Sequence, residues 1–572
     1  MPAKPSGEIK TRKVNVTQKN GDIYVYERQM VYEPDKKRNK TLNSKLLSKI
    51  PKGTDSPVTT RPKKKSLKES ENVSDITATR SRIGMMEIID HIGITSGIDS
   101  AIYDNTDLGT AQKLLSLARY LLASNGQTLP GILAWQFSHK LPYEDGISEG
   151  IYHDLFVKVG RDETLQQSFF ENRCKGLEGK AVLAYDSTTI STYSENQIEA
   201  RYGYNKDGDG LKTIKLLALY SIETRQPIAF TKQPGNLSDV TAIANALKQL
   251  SVLGIGDAEI ITDNGFYSEN NFYEFLAASF NFITLVKVNI KWVKPEIDIH
   301  REEFSNISSI CPFDTGTHGI TLTLTRDFAS NCNQDNKEIL TSEVYLHLYF
   351  NPARKVEEDN KFDNDLLELR NQIEEGIEID KLPQSSQNKV KKYLIIGLND
   401  DRIHISFNED NCRKAKQYHG YFALVSNSEK DTFECLYKYR RRETIESFFG
   451  AMKQRVDGLK TRVWDADTLR GRMFVQFVSL CYYEYLSNDL RKIKMTLGVK
   501  TGNPDNDSEA NLKLERKLKY WIEESPIYLI LQWFDTVEGV NISTKLLSKR
   551  WSTEITQRDQ LFLDKMGVEL PY

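Results

Sequence analysis

Two short stretches decide the fold: AVLAYD, residues Ala181–Asp186, and EIITD, residues Glu259–Asp263. Each is an apolar run that ends in an aspartate and is followed by polar or turn residues, as is typical of a buried β-strand. The segments Leu211–Tyr220, Pro227–Thr231 and Asn281–Val288 are also predicted strands. With helices predicted before and after the EIITD strand, the order is β-β-β-α-β-α-β. Three strands followed by alternation predict a mixed α/β sheet.

The length and charge of the chain predict several domains and a basic arm. The protein has 572 residues, 39% of them hydrophobic and 27% charged, which is ordinary for a globular protein of three or four domains. Its first 80 residues hold 19 Lys and Arg against 9 Asp and Glu, including the run KKK at 63–65. Such an arm is typical of a protein with a polyanionic partner, and equally of a solvated tail.

The cysteines, histidines and apolar runs exclude several classes of protein. The six cysteines form no C-x-x-C pair, and the eight histidines form no H-E-x-x-H motif, so we expect no zinc site. Scattered cysteines are typical of a reduced, cytosolic protein. No apolar run approaches the roughly 20 residues that span a bilayer, and no signal-peptide core is found, so we expect no membrane partner.

Composition and periodicity divide the chain into six segments. The expected fold class is multidomain α/β, with a mixed sheet interrupted by a mostly β insertion and with helical regions at both ends. The segments are 1–80, a basic arm with short strands and a linker; 81–178, helical; 179–290, the first part of the core; 291–425, the β-rich insertion; 426–482, the second part of the core; and 483–572, helical.

A third stretch, Tyr439–Lys453, has the pattern Y-x2-R-x3-E-x6-K. In a helix, Tyr439, Arg442, Glu446 and Lys453 fall within an arc of about 60°, beside an apolar face. One face would then be buried while a carboxylate, two cations and a phenol point together into a cleft. An ordinary amphipathic helix with an i,i+4 ion pair has the same pattern.

Asp186 and Asp263 give Glu446 two further carboxylates. Sites in open α/β sheets form at strand ends, and both aspartates follow apolar strands. Three carboxylates suit a pair of Mg²⁺ or Mn²⁺ ions that act in phosphoryl transfer. Either aspartate alone is equally typical of a turn or a helix cap.

These elements together resemble the DDE transposases of bacterial insertion sequences, in the group that carries a Y-R-E-K signature. The resemblance covers about residues 180–480. It rests on YDST at 185–188, TDNGF at 262–266 and the Tyr439–Lys453 pattern, with the acids 77 and 183 residues apart. The long interval between Asp263 and Glu446 is similar to that in this group, where a β insertion lies between the second and third acids.

The resemblance implies a ribonuclease-H-like core and cut-and-paste transposition through a hairpin intermediate. Asp186, Asp263 and Glu446 would be catalytic and would hold two Mg²⁺ ions, or Mn²⁺ in their place. Tyr439, Arg442 and Lys453 would hold the terminal phosphates and a displaced nucleotide. A base-stacking aromatic is also expected, and Trp292, Tyr345 and Tyr349 are open alternatives.

Other basic residues near the signature would neutralise phosphates, although each also suits a solvated helix face. They are Arg440, Arg441, Arg455, Lys460 and Arg462. The implied partners are DNA, as terminal inverted repeats bound by the arm and the helices of 81–178, and as target DNA. The resemblance also implies a homodimer in the DNA complex, with residues 483–572 contributing to dimerisation. It implies a location at the nucleoid in a bacterial cytoplasm.

Two further functions remain open from the sequence. One is a catalytically inactive, transposase-derived DNA-binding protein, and the other is a ribonuclease-H-like nuclease without strand transfer. The presence of all three acids and the full signature favours an active transposase.

Overall fold

A computed structural model describes most of the chain as two compact units. The described residues are 9–33, 38–54, 56–58, 77–177, 181–330, 338–399, 402–500, 502, 508–543 and 548–571. The first unit comprises residues 1–78 and 542–549, and the second comprises 79–541 and 550–572. The basic run at 63–65 lies outside the described residues.

The first unit contains a three-stranded antiparallel sheet. Its strands are β1 (Lys10–Thr17), β2 (Ile23–Glu33) and β3 (Arg38–Ile50), with β2 in the middle. Three further strands lie where the chain passes between the units: β4 (Thr77–Arg82), β16 (Glu538–Ser543) and β17 (Ser548–Ser552).

The second unit contains eleven of the described strands, numbered β5–β15, and eighteen α-helices. The strands are β5 (Ala181–Thr192), β6 (Lys212–Ser221), β7 (Gln226–Pro234), β8 (Ala258–Thr262), β9 (Asn281–Val286), β10 (Ile310–Cys311), β11 (Asp314–Ala329), β12 (Ile339–Phe350), β13 (Leu394–Asn399), β14 (Arg402–Phe407) and β15 (Tyr421–Ser426). The helices are α1 (Gly84–Thr95), α2 (Ile98–Tyr103), α3 (Leu108–Ala123), α4 (Ile132–Trp135), α5 (Glu149–Arg161), α6 (Glu163–Cys174), α7 (Ile243–Val252), α8 (Glu269–Ala277), α9 (Lys294–Ile299), α10 (Pro352–Glu374), α11 (Gln384–Tyr393), α12 (Glu409–Lys416), α13 (Thr432–Arg441), α14 (Glu443–Arg455), α15 (Ala466–Thr496), α16 (Glu509–Glu524), α17 (Ile527–Phe534) and α18 (Gln557–Met566). Within the described ranges, none of these helices has both the length and the apolar character needed to cross a bilayer.

The predicted mixed sheet is confirmed. The order β5-β6-β7-α7-β8-α8-β9 along the chain is the predicted β-β-β-α-β-α-β. In space β6 pairs antiparallel with both β5 and β7, whereas β8 pairs parallel with β5 and β9 pairs parallel with β8. The five strands therefore lie side by side as β7-β6-β5-β8-β9.

The strands of the predicted insertion continue the same sheet. β15 pairs antiparallel with β9, β12 with β15, β11 with β12 and β10 with β11, which makes nine strands in all. Between β12 and β15 the chain forms α10, α11, the β13–β14 hairpin and α12, and these pack around a small apolar core of their own. The segment predicted as a mostly β insertion therefore also contains the helices α9, α10, α11 and α12.

A cluster of phenylalanines packs helices against one end of the sheet. Phe170 on α6 and Phe230 on β7 are buried against Phe474 and Phe477 on α15, with ring centroids 5.2–6.1 Å apart. Rings at these distances pack closely and contribute beyond their buried area. The long helix α15 is thereby fixed to the β6–β7 edge of the sheet.

Glu484 on α15 makes stability dependent on pH. It is buried and accepts a hydrogen bond of 3.0 Å from the Tyr220 hydroxyl. Burial raises its pKa from 4.5 to about 7. Because the folded pKa is the higher one, the stability that this group contributes is complete below pH 4.5 and is lost as the pH rises through about 7.

We expect Glu484→Gln to remove this pH dependence. Wild-type protein should lose about 3 kcal/mol of unfolding free energy relative to the variant between acidic and alkaline pH. Urea unfolding of both proteins at pH 5, 7 and 9 measures the difference. The exposed Glu523→Gln is the control and should follow wild type. Parallel pH curves for wild type and Glu484→Gln would contradict the prediction.

Candidate active site

The pairing of β5 with β8 places the two predicted aspartates side by side. Ala181 pairs with Ala258 and Ala184 with Ile261, an offset of 77 residues that is also the interval between Asp186 and Asp263. Neighbouring strands lie about 4.8 Å apart, and residues of equal register point to the same face. The two carboxyl groups therefore project from adjacent strands in the same direction.

The strand context of the two aspartates differs. Asp263 directly follows β8, as predicted, and its carboxylate accepts a 2.7 Å hydrogen bond from the backbone N–H of Asn264. Asp186 is not at a strand end, because β5 continues to Thr192 and Asp186 pairs with Ala218 of β6. The apolar run ends at Asp186, but the backbone pairing does not, since the polar residues that follow are also buried between strands.

Arg442 connects Asp186 with Glu446. One guanidinium nitrogen donates to Asp186 Oδ2 at 3.1 Å, and another donates to Glu446 Oε1 at 3.0 Å. The side chains of Arg442 and Asp186 are only 8% and 12% exposed, whereas Glu446 is 59% exposed. The Tyr439 hydroxyl donates to Asp263 Oδ1 at 3.3 Å. Five of the predicted residues thus form one connected cluster.

The expected single helix over Tyr439–Lys453 is interrupted at its centre. α13 ends at Arg441 and α14 begins at Glu443. At Arg442 the backbone changes from α-helical to 3₁₀-type hydrogen bonding. The N–H of Arg442 donates to the Tyr439 carbonyl, and its own carbonyl accepts from the N–H of Ile445, each three residues away. The apolar face is as predicted, since Ile445, Phe449 and Met452 are all buried.

Burial alters the titration of the cluster. It raises the pKa of the Asp186 carboxyl, and the charge of Asp263 adds to the rise, while Arg442 and Lys206 oppose it. Burial also raises the pKa of Tyr439, and the Asp263 charge reinforces this. The phenol therefore keeps its proton at neutral pH and acts as a hydrogen-bond donor.

Lys453 does not contact this cluster. Its ammonium group pairs with both carboxylate oxygens of Asp207, at 2.8 and 3.1 Å. The lysine beside Asp186 is Lys206 instead, whose Nζ donates to the Ser187 carbonyl at 2.8 Å. Lys206 lies in the loop between β5 and β6, and no motif in the sequence distinguished it.

Asp239 was also missed as a neighbour of the site. One of its oxygens accepts from the Ser187 hydroxyl and from Lys215 Nζ, both at 2.8 Å. The signal that could have indicated Asp239 is its place at the end of the stretch GNLSD at 235–239, directly after β7.

The remaining predicted cations each have a partner within the chain. The pairs are Arg440 with Asp314 (2.6 Å), Arg441 with the Ile222 carbonyl (2.8 Å), Arg455 with Asn125 (3.0 Å), Lys460 with Asp209, and Arg462 with Asp457 (2.9 Å). Partly exposed pairs of this kind contribute at most about 1 kcal/mol. A phosphate group would have to compete with these partners.

The three aromatic candidates for base stacking are occupied by protein contacts. Tyr349 is fully buried, and its hydroxyl donates to the Thr432 carbonyl at 2.6 Å. Tyr345 is nearly buried and bonds Glu343. Trp292 donates to the Tyr267 hydroxyl at 3.1 Å, and the Arg326 guanidinium lies 4.4 Å from its ring centre.

The donor chemistry of the three acids fits a divalent cation, but their arrangement brings only two of them together. Carboxylate oxygens are the ligands that Mg²⁺ and Mn²⁺ prefer. In the parts of the chain that the structure describes, no three His, Cys, Asp or Glu side chains gather closely enough to hold a metal ion. Asp186 and Asp263 form a side-by-side pair, and Arg442 binds between Asp186 and Glu446.

A basic cavity of about 750 Å³ begins next to Asp263 and was not predicted. Asn264 lies in its wall, and the other wall residues come largely from α10, α12 and the loops beside β9 and β15. Six cations line it: Lys287, Lys294, Arg354, Lys361, Lys392 and Lys414. Only two acids do so, and both have partners, because Glu358 pairs with Arg354 and Asp365 pairs with Lys389. Five aromatic residues also line this cavity, which we call the α10–α12 groove: Phe362, Tyr393, Tyr418, Tyr421 and Phe422.

Comparison with known proteins identifies the family. The family described as "Transposase DDE domain" matches residues 177–482, more than half of the chain, and this range contains Asp186, Asp263 and Glu446. No curated protein matches the chain. Among solved structures, a cryo-EM structure of the piggyBac transposase synaptic complex with hairpin DNA is similar, with 12% identity and a TM-score of 0.35 over 78% of this chain and 81% of that chain. Because the family match covers more than half of its length, the chain belongs to the transposase family that carries a DDE domain.

Proposed function

We propose that this transposase is active, and that it cuts DNA at the ends of a mobile element and joins those ends to target DNA. Asp186, Asp263 and Glu446 would be its catalytic residues. The observation that carries the proposal is the equal register of Asp186 and Asp263 on β5 and β8, with Arg442 bound to Asp186 and to Glu446. Two carboxylates at the same level of neighbouring strands repel each other, whereas phosphoryl transfer with two metal ions uses such a cluster.

The three acids would hold two divalent cations, Mg²⁺ or Mn²⁺. Bound there, the cations would activate the attacking oxygen and stabilise the leaving one. Glu446 is more than half exposed and is held to the site by one hydrogen bond to Arg442, so its side chain is free to turn.

The residues around the acids would hold the phosphate. Arg442 places a cation that cannot lose its proton beside Asp186, where negative charge develops on the phosphate oxygens. The protonated Tyr439 hydroxyl beside Asp263 would donate a hydrogen bond to a terminal phosphate. Lys453 would also hold a phosphate, after its ammonium group leaves Asp207. Tyr439, Arg442, Glu446 and Lys453 would then act together as the Y-R-E-K signature. The presence of this signature supports cut-and-paste transposition through a hairpin.

We propose that the DNA partners are terminal inverted repeats and target DNA, bound by a homodimer. The α10–α12 groove supports a path for DNA that starts at the catalytic acids, because six cations and five aromatic side chains line it. Cations neutralise backbone phosphates, and aromatic rings stack on exposed bases. The helices at 81–178 and the basic arm would recognise the repeats, and residues 483–572 would contribute to dimerisation.

The test is a cleavage and joining assay with the full chain, MgCl₂ and DNA that carries the sequences flanking the gene. Cleaved ends that become joined to a second DNA molecule would support the proposal. Binding without cleavage would indicate an inactive DNA-binding derivative. Cleaved ends that are never joined would indicate a nuclease without strand transfer.

The α10–α12 groove makes a separate prediction about DNA affinity. Lys361→Glu combined with Lys414→Glu should lower affinity for duplex DNA about tenfold or more at 100 mM salt. It should also reduce the slope of log K against log salt by about 2, because two phosphate contacts are lost. Fluorescence anisotropy over a salt series measures both quantities.

A matched control is Lys381→Glu combined with Lys391→Glu, which makes the same charge change at two exposed residues that do not line the groove. It should alter the affinity less than threefold. Equal losses in the control and in the variant at Lys361 and Lys414 would mean that net charge, rather than this groove, governs binding.

A further inference from the structure

A second basic cavity, of about 450 Å³, lies at the turn between β6 and β7. Its walls include Arg173, Arg225, Arg491 and Lys492, with Glu223 as the one acid among them. The turn is distant from the catalytic acids. Asp186 pairs with Ala218 of β6, and β6 ends three residues later at Ser221, a distance of about 10 Å along the strand. The turn lies beyond Ser221, farther still from the catalytic acids.

The three arginines of this cavity lack carboxylate partners. Among the residues that the structure describes, no acid lies within ion-pair distance of Arg173, Arg225 or Arg491. Arg173 is 7% exposed and donates to the Ser96 carbonyl at 3.2 Å and to the Tyr485 hydroxyl at 3.4 Å, which are neutral acceptors. Burial lowers the pKa of Arg491, and the like charge of Arg225 lowers it further. Guanidinium groups gathered with no acid within ion-pair distance indicate a place for an anion.

Two features of the turn show that Arg225 is held toward this cavity at a cost. Its φ is +52°, in the left-handed region that disfavours a residue with a side chain by about 1 kcal/mol. Asn488 on α15 fixes the turn, because its amide donates to the Thr224 carbonyl at 2.6 Å, and its Oδ1 accepts from Arg491 at 3.3 Å. Glycine or asparagine would suit this backbone better than arginine does.

Gln226 supplies an independent observation that points to a polar ligand. It is 6% exposed and lies in the cavity wall, and neither its amide oxygen nor its nitrogen has a hydrogen-bond partner in the described structure. A buried amide without partners costs about 1–3 kcal/mol, so such groups are rare in folded proteins. Arg173 Nε in the same wall is also unpartnered.

A buried acid on α15, Glu484, offsets the charge of Arg225 and Arg491 only in part at neutral pH. Glu484 is hydrogen-bonded to Tyr220, and its pKa is raised by burial to about 7. Its carboxyl group is therefore about half protonated there. Four cations face one exposed acid, Glu223, in the cavity walls.

We propose that this cavity is an anion site that binds a phosphate group between Arg225 and Arg491, separate from the catalytic acids. Guanidinium forks match the oxygens of a phosphate in two parallel hydrogen bonds. The volume also accommodates the rest of a nucleotide-sized molecule. The phosphate belongs either to such a small phosphomonoester or to the DNA backbone, and the same chemistry recognises both.

Isothermal titration of the full chain with inorganic phosphate, without divalent cations, tests the site. Wild type should bind one equivalent in a saturable way. The principal variant is Arg225→Gly, which removes the guanidinium and relieves the left-handed backbone, so it should unfold at the wild-type temperature or above. It should weaken phosphate binding at least tenfold, and Arg491→Gln should do the same. The control is Arg470→Gln. Arg470 lies on α15, as Arg491 does, but it pairs with Glu163, so the affinity of this variant for phosphate should stay within twofold of wild type.

Two further titrations identify the source of the phosphate. If it is the DNA backbone, Arg225→Gly lowers duplex affinity and reduces the salt slope by about 1. If it is a small molecule, adenosine 5′-monophosphate binds more tightly than inorganic phosphate and duplex affinity is unchanged. The proposal is overturned if wild type does not bind phosphate, or if folded Arg225→Gly and Arg491→Gln bind it as well as wild type does. Neither result depends on DNA cleavage, so the catalytic proposal stands or fails separately.

Discussion

Asp186→Asn is expected to lower the rate of DNA cleavage by about 10³-fold or more, with the protein still folded. Asparagine keeps the shape of the side chain but removes the negative charge that sits beside Asp263 and binds Arg442. A loss of 10³-fold corresponds to about 4 kcal/mol of transition-state stabilisation, which is the scale of removing one preorganised electrostatic group from an active site. Single-turnover cleavage of end-bearing DNA measures the rate.

The matched control for Asp186→Asn is Asp257→Asn, at an exposed residue just before β8. It removes the same charge at the opposite end of β8 from Asp263 and should leave cleavage within twofold of wild type. The Asp186 variant should retain DNA affinity and a cooperative unfolding transition. Cleavage at the wild-type rate by folded Asp186→Asn would remove Asp186 from the mechanism.

Arg442→Met is expected to have the largest effect on stability, about 3–5 kcal/mol. Arg442 and Asp186 are both almost fully buried, and removing the cation leaves the carboxylate buried without its partner. The variant should also lose cleavage activity, because Glu446 loses the group that holds it to the site. Urea denaturation monitored by fluorescence gives the change in the free energy of unfolding.

The stability loss in Arg442→Met should depend on pH in a definite direction. Burial already raises the pKa of Asp186, and removing Arg442 raises it further. A carboxyl group whose folded pKa is raised contributes stability that is complete below its ordinary pKa of 3.8 and is lost as the pH rises through the folded value. The deficit should therefore be small in acid and grow as the pH increases.

A double-mutant cycle separates this ion pair from general packing. The double variant Asp186→Asn with Arg442→Met should lose about 1–3 kcal/mol less unfolding free energy than the sum of the losses in the two single variants. Each single change leaves one buried charge without its partner, whereas the double variant has no such charge left. The exposed pair of Arg413 and Asp410 is the control, and Arg413→Met should change stability by less than about 0.5 kcal/mol. Strict additivity at Asp186 and Arg442 would contradict the buried ion pair.

Local sequence patterns were sufficient to predict the core strands. β5, β6, β7, β8 and β9 were all found in order, because each is a short apolar run bounded by turn residues. The same patterns could not show that β11, β12 and β15 extend that sheet, since pairing between strands depends on contacts between distant residues. The length of β5 was also missed, because its polar second half, Ser187–Thr192, is buried by strand pairing that local polarity does not reveal.

The site was predicted in part for a similar reason. Residue types and spacing indicated Asp186, Asp263, Glu446, Tyr439 and Arg442, and the structure connects these five by hydrogen bonds or strand register. The partners of the cations were not predictable. Lys453 has Asp207 as its partner, 246 residues earlier in the chain, and Lys206 takes the place beside Asp186.

The sequence by itself determined the periodicity of each element, the apolar face of α14 and the residue types of the proposed catalytic cluster. Only the tertiary structure decided which charges meet. It placed Arg442 between Asp186 and Glu446, gave most of the predicted DNA-contacting cations an internal acid, and formed the two basic cavities. The physical reason is range. Hydrophobic periodicity is set by neighbours within a few residues, whereas ion pairs and cavities form between elements hundreds of residues apart and depend on how the sheet and helices pack.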